Sequence, residues 1–405
     1  MVIIKRDATD HVETTKSLSV CMLVTDLDAP TGGVQRNSRL LLGEFNKRGL
    51  ATFVCARNYY GLEGDETKDG TVYHRSPVFG SSRSLNGVLY MIDTFLWLVL
   101  NRSKYDVLHC QQMFGPTMVA AVVGYFTGKP IVTRTTLSGE TGEAAAIREL
   151  PFASVRLRLI KRVTKWIALT SEMKRELETL DIPANKIKII YNGTEIPESG
   201  AFDADARGKM RADLGLEYPH IVVFSGRLSK EKNLDVLLNA WKLVCDQVPE
   251  SHLLLLGEGG SYRSVEEEVR EQARKLNIDD NVHFLGHVPN AKDYLIASDL
   301  FVLPTVAEGM SNSLVEAFAC GTAIVATNIP ANSEICEDGV NSILVPVADV
   351  GRLADAIINV LLSPELAASM AKAARNKAEQ ALSLDKMVES YIDTYREVIE
   401  GDGKA

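Results

Sequence analysis

Short apolar runs alternate with longer amphipathic stretches over almost the whole chain. SVCMLVTDL (19–27), ATFVCA, TVYHRSP, YDVLHC, KPIVTR, TKWIALTS and KIKIIYNG have the composition of buried strands. Between them, apolar positions recur at helical spacing over 34–48, 85–101 and 115–126, and Gly49 closes the first of these. SEMKRELETL predicts a helix opened by Ser171 as its N-cap. The alternation restarts with HIVVFSG and continues through HLLLLGEG, NVHFLG, LFVLPT, TAIVATN and SILVPV, after which the chain reads as helical.

Strands alternating with helices build βαβ units and parallel sheets. The two sets are separated by the polar, turn-rich EIPESGAFDADARG (195–208), which predicts two doubly wound α/β domains, 17–200 and 201–382. A chain of 405 residues suits two cores better than one. Such sheets bind ligands beyond the C-terminal ends of their strands, so the cleft between the domains is the expected site.

The formal charge of −9 disfavours nucleic acid as a partner, because phosphate contacts call for a basic domain. The six cysteines form no C-x-x-C; three lie in strand-like runs and three are scattered. That pattern fits buried thiols in a reducing cytosol, with neither a disulfide framework nor a metal site. MVIIKRDATDHVETTK lacks the apolar stretch of a secretion signal. No run reaches the roughly 18 apolar residues of a membrane span, and the nearest, 88–100, is interrupted by Asp93 and Thr94. A cytoplasmic protein is expected.

Candidate chemistry concentrates in the second half. Arg227 and Lys232 lie in SGRLSKEKN, just past a strand end, where two fixed cations can neutralise a diphosphate; a solvated basic loop is the other reading. Gly257 and Glu258 belong to GEGGS after the next strand, where glycine lets the backbone approach a ligand. In PTVAEGMSNSLVEAFACGTAIVATNIP, Glu308 lies in a loop and Glu316 near the start of a helix. Ser311, Asn312 and Ser313 are N-cap candidates, and a helix start attracts phosphate. The two glutamates suit sugar and ribose hydroxyls, although Glu316 alone also reads as a dipole-compensating carboxylate. No G-x-G-x-x-G follows a first strand, which disfavours a nicotinamide-dependent dehydrogenase.

Glu308 and Glu316, preceded by SGRLSKEKN and GEG and followed by ACGTAIVAT, resemble the donor half of GT-B glycosyltransferases, more narrowly the retaining GT4 family. The resemblance runs from about 19 to 399 and implies two Rossmann-like domains facing a deep interdomain cleft. It implies a final segment, 383–405, whose helix crosses back onto the first domain. By resemblance, Arg227 and Lys232 hold the diphosphate of a UDP- or GDP-sugar, Glu316 the ribose and Glu308 the transferred sugar. Backbone N–H groups near Ser313 and Leu314 meet the distal phosphate, Gly33 approaches the diphosphate, and Gly257, Glu258 and FLGHV lie near the base. No cofactor or metal is expected. The implied reaction is transfer to an acceptor hydroxyl with retention, in polysaccharide or glycolipid synthesis. An epimerase-like GT-B enzyme and a non-catalytic sugar-nucleotide-binding subunit remain as alternatives.

Many relatives carry a histidine where this chain has Thr136, which cannot serve as a base near neutral pH. Glu140, Glu143 and His109 are acceptor-side candidates for assistance, His109 also reading as a strand-end residue with a structural hydrogen bond. Arg158, Lys161 and Arg162 share a helix face within 152–165, and within 85–101 the stretch 88–100 is apolar nearly all round. A solvated face and core burial account for these segments. Peripheral contact with an anionic membrane, and a carbohydrate or lipid-linked acceptor, is the sharper reading.

Overall fold

The computed structural model describes residues 18–29, 32–139, 142–198, 200, 201, 203–259 and 264–402. Its first domain is an eight-stranded sheet of β1 (Ser19–Leu23), β2 (Ala51–Asn58), β3 (Asp65–Lys68), β4 (Thr71–Pro77), β5 (Val107–Cys110), β6 (Ile131–Arg134), β7 (Lys165–Ala168) and β8 (Ile187–Ile189), in the order β3-β4-β2-β1-β5-β6-β7-β8. All neighbours are parallel except β3, which runs antiparallel to β4 at the edge. The second domain is a six-stranded parallel sheet of β9 (His220–Ser225), β10 (Ser251–Leu256), β11 (Val282–Gly286), β12 (Leu300–Leu303), β13 (Ala323–Thr327) and β14 (Ile343–Val345), in the order β11-β10-β9-β12-β13-β14. The order reverses beside β1 and beside β9, so each sheet opens a crevice at its strands' C-terminal ends, where ligands bind.

Several local expectations shift. The first strand ends at Leu23, four residues earlier than its apolar run, because Val24 and Leu27 are buried without being part of the strand. β3 is polar and exposed, so no apolar period announced it. Part of the expected linker is helical: Ala204–Leu214 is capped by Asp203 and closed by Gly215 in a left-handed conformation. The helix Ser171–Glu178 is capped by Thr170, whose hydroxyl accepts from Met173 N at 3.2 Å, and Ser171 is its first residue.

The helix Leu384–Asp402 lies on the first domain. Leu384, Met387, Val388, Tyr391, Tyr395 and Val398 are buried against Val20, Met22, Leu41 and Phe45, with the Phe45 and Tyr395 rings edge to face at 5.7 Å. Burying these six side chains is worth on the order of 10 kcal/mol before ordering entropy is subtracted. The chain thus passes between domains twice, near 194 and near 383. The two passages are joined where Thr194 N donates to Leu382 O at 3.0 Å and Leu384 N donates to Thr194 O at 2.9 Å.

Candidate active site

Three strand ends of the second domain are stitched together at the cleft. Gly257, after β10, has φ +128°, and a β-carbon there would lie 2.0 Å from Gly226 O after β9. Only glycine permits that approach. Gly257 N donates to Gly286 O at 2.7 Å, Leu228 N to Glu258 O at 3.0 Å, and His287 N to Glu258 Oε1 at 3.3 Å. GEG and FLGHV therefore meet at one corner of the cleft, beside Arg227.

Lys232 ends a short turn, Lys230–Lys232, and is 8% exposed. Its ammonium pairs with the Glu308 carboxylate. Glu231 O accepts from Val306 N at 2.9 Å and Thr305 Oγ1 at 2.8 Å, fixing the loop that carries Glu308 against the loop that carries Lys232. Arg227 is 54% exposed at its side chain and pairs with Glu231 at 3.0 Å.

The helix Asn312–Cys320 starts at the same edge with Ser311 as its N-cap. Its Leu314 N–H faces Ser311 Oγ at 3.5 Å, a long bond that a phosphate oxygen could replace. Glu316, one turn in, is buried and accepts from the guanidinium of Arg36. Arg36 belongs to the first domain, on the helix Gly33–Lys47. The starts of these two helices abut: Asn37 Nδ2 donates to Asn312 Oδ1 at 3.2 Å, and Asn312 Nδ2 to Gly33 O at 3.5 Å. Asn192 Nδ2 reaches the same Asn312 Oδ1 at 3.0 Å and Met310 O at 3.1 Å. Two helix N-termini, two carboxylates and three cations thus converge on one face of the cleft.

Residues 31–196 match the family model Glycosyltransferase Family 4, and residues 206–377 match Glycosyl transferases group 1. The chain is a family 4 glycosyltransferase. It is 26% identical over 306 residues to N-acetyl-α-D-glucosaminyl L-malate synthase of Bacillus anthracis, covering 75% of this chain and 78% of that one. It is 24% identical over 321 residues to the UDP-Gal:α-D-GlcNAc-diphosphoundecaprenol α-1,3-galactosyltransferase of Escherichia coli, covering 75% and 78%. The glycosyltransferase has the GT-B fold. It superposes on the Anabaena protein HepE, crystallised with UDP and glucose, with a TM-score of 0.74 over 93% of this chain and 99% of that one at 21% identity.

The first-domain candidates of this glycosyltransferase separate. Thr136 reaches the cleft: its carbonyl packs on Gly309, and Ser138 Oγ donates to Glu308 O at 3.3 Å. Glu143 is buried behind it, its carboxylate accepting from Met113 N at 3.0 Å and Thr136 N at 2.6 Å. It braces the loops after β5 and β6, and burial raises its pKa. Glu140 lies outside the described residues. His109 is not acceptor-facing. It is fully buried under the crossing helix, with Nδ1 2.7 Å from Tyr395 Oη, and burial, then the charge of Arg134, pushes its pKa down to about 3. Its side chain takes the face of β5 that the crossing helix covers, so the strand-end position did not carry it into the cleft.

Arg36, Asn37 and Asn192 were missed by the motif reading. Arg36 left a signal: a cation in the first turn of a helix opposes the helix dipole and calls for an anion nearby. Asn192 left none, because its partner Asn312 is remote in sequence. Among the described residues no three His, Cys, Asp or Glu side chains converge as a metal site requires. Among them, too, no single helix is long and apolar enough to cross a membrane.

Proposed function

We propose that this glycosyltransferase moves a sugar from a nucleotide-diphosphate donor, a UDP- or GDP-sugar, to an acceptor hydroxyl with retention of configuration. Lys232 and Arg227 neutralise the diphosphate as it leaves, the part a divalent cation plays in other enzymes. Glu316 accepts from the ribose hydroxyls and Glu308 from those of the sugar. The N–H groups at Ser313 and Leu314 meet the distal phosphate, with Gly33 facing them, and Gly257 and Glu258 border the base. The acceptor oxygen bonds to the anomeric carbon as the bond to phosphate breaks. The acceptor proton goes to the departing phosphate on the same face, so Thr136 need not act as a base.

The observation that carries this reading is that the two acids assigned to the sugar and the ribose each pair with a cation at the cleft: Glu308 with Lys232 and Glu316 with Arg36. A sugar nucleotide offers hydroxyls to the acids and phosphates to the cations. The test is thermal unfolding with a panel of nucleotide sugars. A donor at roughly 100 times its Kd adds about 2.7 kcal/mol. One donor should protect, and Lys232→Ala and Glu316→Ala should abolish the protection. No protection by any sugar nucleotide at millimolar concentration would overturn the assignment.

A lipid-linked acceptor at an anionic membrane surface is the proposed second substrate, with the enzyme on the cytoplasmic side. The helix Arg83–Leu100 buries Tyr90, Thr94 and Leu98 but leaves Leu85, Val88, Ile92, Leu96 and Leu100 exposed in one stripe. That helix packs beside Gly115–Thr127, which packs beside Ala153–Ile160. Exposed Tyr125, Phe126, Phe152 and Val155 extend the apolar surface. Arg158, Lys161 and Arg162 are exposed at its margin, with Arg162 over the Tyr125 ring at 4.2 Å. Apolar side chains bordered by cations complement an anionic bilayer. The Escherichia coli relative is named for a polyprenyl-diphosphate acceptor, which supports the same reading.

A further inference from the structure

Of the three acid–cation pairs at the donor site among the described residues, that of Arg36 with Glu316 crosses the cleft. Lys232 and Glu308 both belong to the second domain, whereas Arg36 comes from the first domain to reach Glu316. Arg36 sits at the first turn of its helix, where the helix dipole repels a cation. Its side chain remains 37% exposed, against 8% for Glu316. The neighbouring helix starts, at Gly33 and Asn312, bring two positive dipole ends together. Glu316 is the carboxylate that answers this field.

We infer that Arg36 is a donor-positioning residue: it pairs with Glu316 across the cleft, yields it to the ribose of the donor, and then pairs with the donor diphosphate. The inference rests on the donor reading above and adds a first-domain residue to it. The electrostatics run in one direction. Ribose hydroxyls can satisfy the hydrogen bonds of Glu316 but bring no charge to Arg36. The released guanidinium then lies between two helix N-termini with its counter-charge engaged elsewhere. A diphosphate at the same helix starts supplies that charge, in the bidentate geometry that guanidinium favours. Entry of the donor thereby replaces one cross-cleft link by another, and the first domain registers whether the diphosphate is present.

The two halves of this exchange predict effects of opposite sign, which a merely structural arginine would not produce. The measurement is binding of UDP, GDP and ADP, and of uridine, guanosine and adenosine, to the wild type, Arg36→Ala and Arg36→Lys. Titration calorimetry serves for the nucleotides and ligand-observed NMR for the weaker nucleosides. For the base that binds, Arg36→Ala should hold the nucleoside roughly two- to fivefold more tightly, because a half-exposed competitor for Glu316 is gone. It should hold the nucleoside diphosphate about tenfold more weakly, because a phosphate partner is gone. Arg36→Lys should recover part of the diphosphate affinity. Equal changes for nucleoside and diphosphate, or no change in either, would overturn the role of Arg36 while leaving the donor assignment standing. A wild type that binds none of the nucleotides would overturn both.

Discussion

The carbonyl oxygen of Thr136 lies 1.9 Å from the point where a β-carbon on Gly309 would sit. The loop that carries Glu308 therefore touches the first domain through a residue with no side chain. Gly309→Ala must push the two loops apart. Overpacking of this kind costs about 1–3 kcal/mol in a core. Because this contact lies between domains, the cost should fall on closure. We expect kcat to fall roughly five- to a hundredfold, with a change of only a few degrees in Tm, compared by steady-state kinetics and calorimetry on the same preparations.

Lys232→Ala should be the most damaging single change at the donor site. It removes the buried cation and leaves the Glu308 carboxylate unpaired. Loss of one such stabilising group lowers kcat by roughly a hundred- to a thousandfold. Arg227→Ala should cost less, since Arg227 is more exposed and already shares its charge with Glu231. Equal losses in both variants would show that burial does not rank the two cations.

Transfer should proceed undiminished after dialysis against EDTA and assay in its presence. The diphosphate is assigned to side-chain cations, so chelation removes nothing the reaction needs. Loss of activity that magnesium or manganese restores would contradict that assignment.

Replacing Ile92 and Leu96 by Asp should abolish flotation with vesicles containing anionic lipid. Both side chains are more than half exposed, so Tm should hold. Retained flotation would rule out this stripe as the membrane contact.

His109 makes the first domain sensitive to acid. Its folded-state pKa, about 3, lies below the ordinary 6.5, so the unfolded chain binds the extra proton between those values. Stability from this group is complete above the ordinary value and drains away as pH falls toward 3. The loss is about 2 kcal/mol at pH ~5. Glu143 acts with the same slope reversed. Its pKa is raised above 4.5, so its contribution grows as pH falls through the raised value and is complete below the ordinary one. Denaturant unfolding of His109→Gln from neutral to acid pH should show a flatter decline than the wild type. An unchanged decline would place the acid-labile group elsewhere.

The alternation of strands and helices in the second domain was legible because β9, β10, β12 and β13 are buried almost throughout, and such parallel strands read as continuous apolar runs. The polar edge strand β3 was not, since neither face is buried. Arg227, Lys232, Glu308 and Glu316 were named from the resemblance of their motifs to the donor half of GT-B glycosyltransferases, and all four lie past strand ends of one domain. Their pairing partners were less visible: Arg36 meets Glu316 across 280 positions, and Asn192 meets Asn312 across 120. No local pattern encodes such contacts. His109 failed for a related reason. Its neighbours along the strand say nothing of Tyr395, 286 positions away, which decides that it is buried.

The helix that covers Val20, Met22 and Phe45 also sets an order of assembly. On the ribosome, the strands of the first domain emerge long before residues 384–402, with the whole second domain made in between. Until that helix arrives, the first sheet keeps part of one apolar face open, beside the helix Gly33–Lys47, and such faces are where nascent chains aggregate or recruit chaperones. The second domain can close its own core first. The first-made half of this enzyme is the last to be finished.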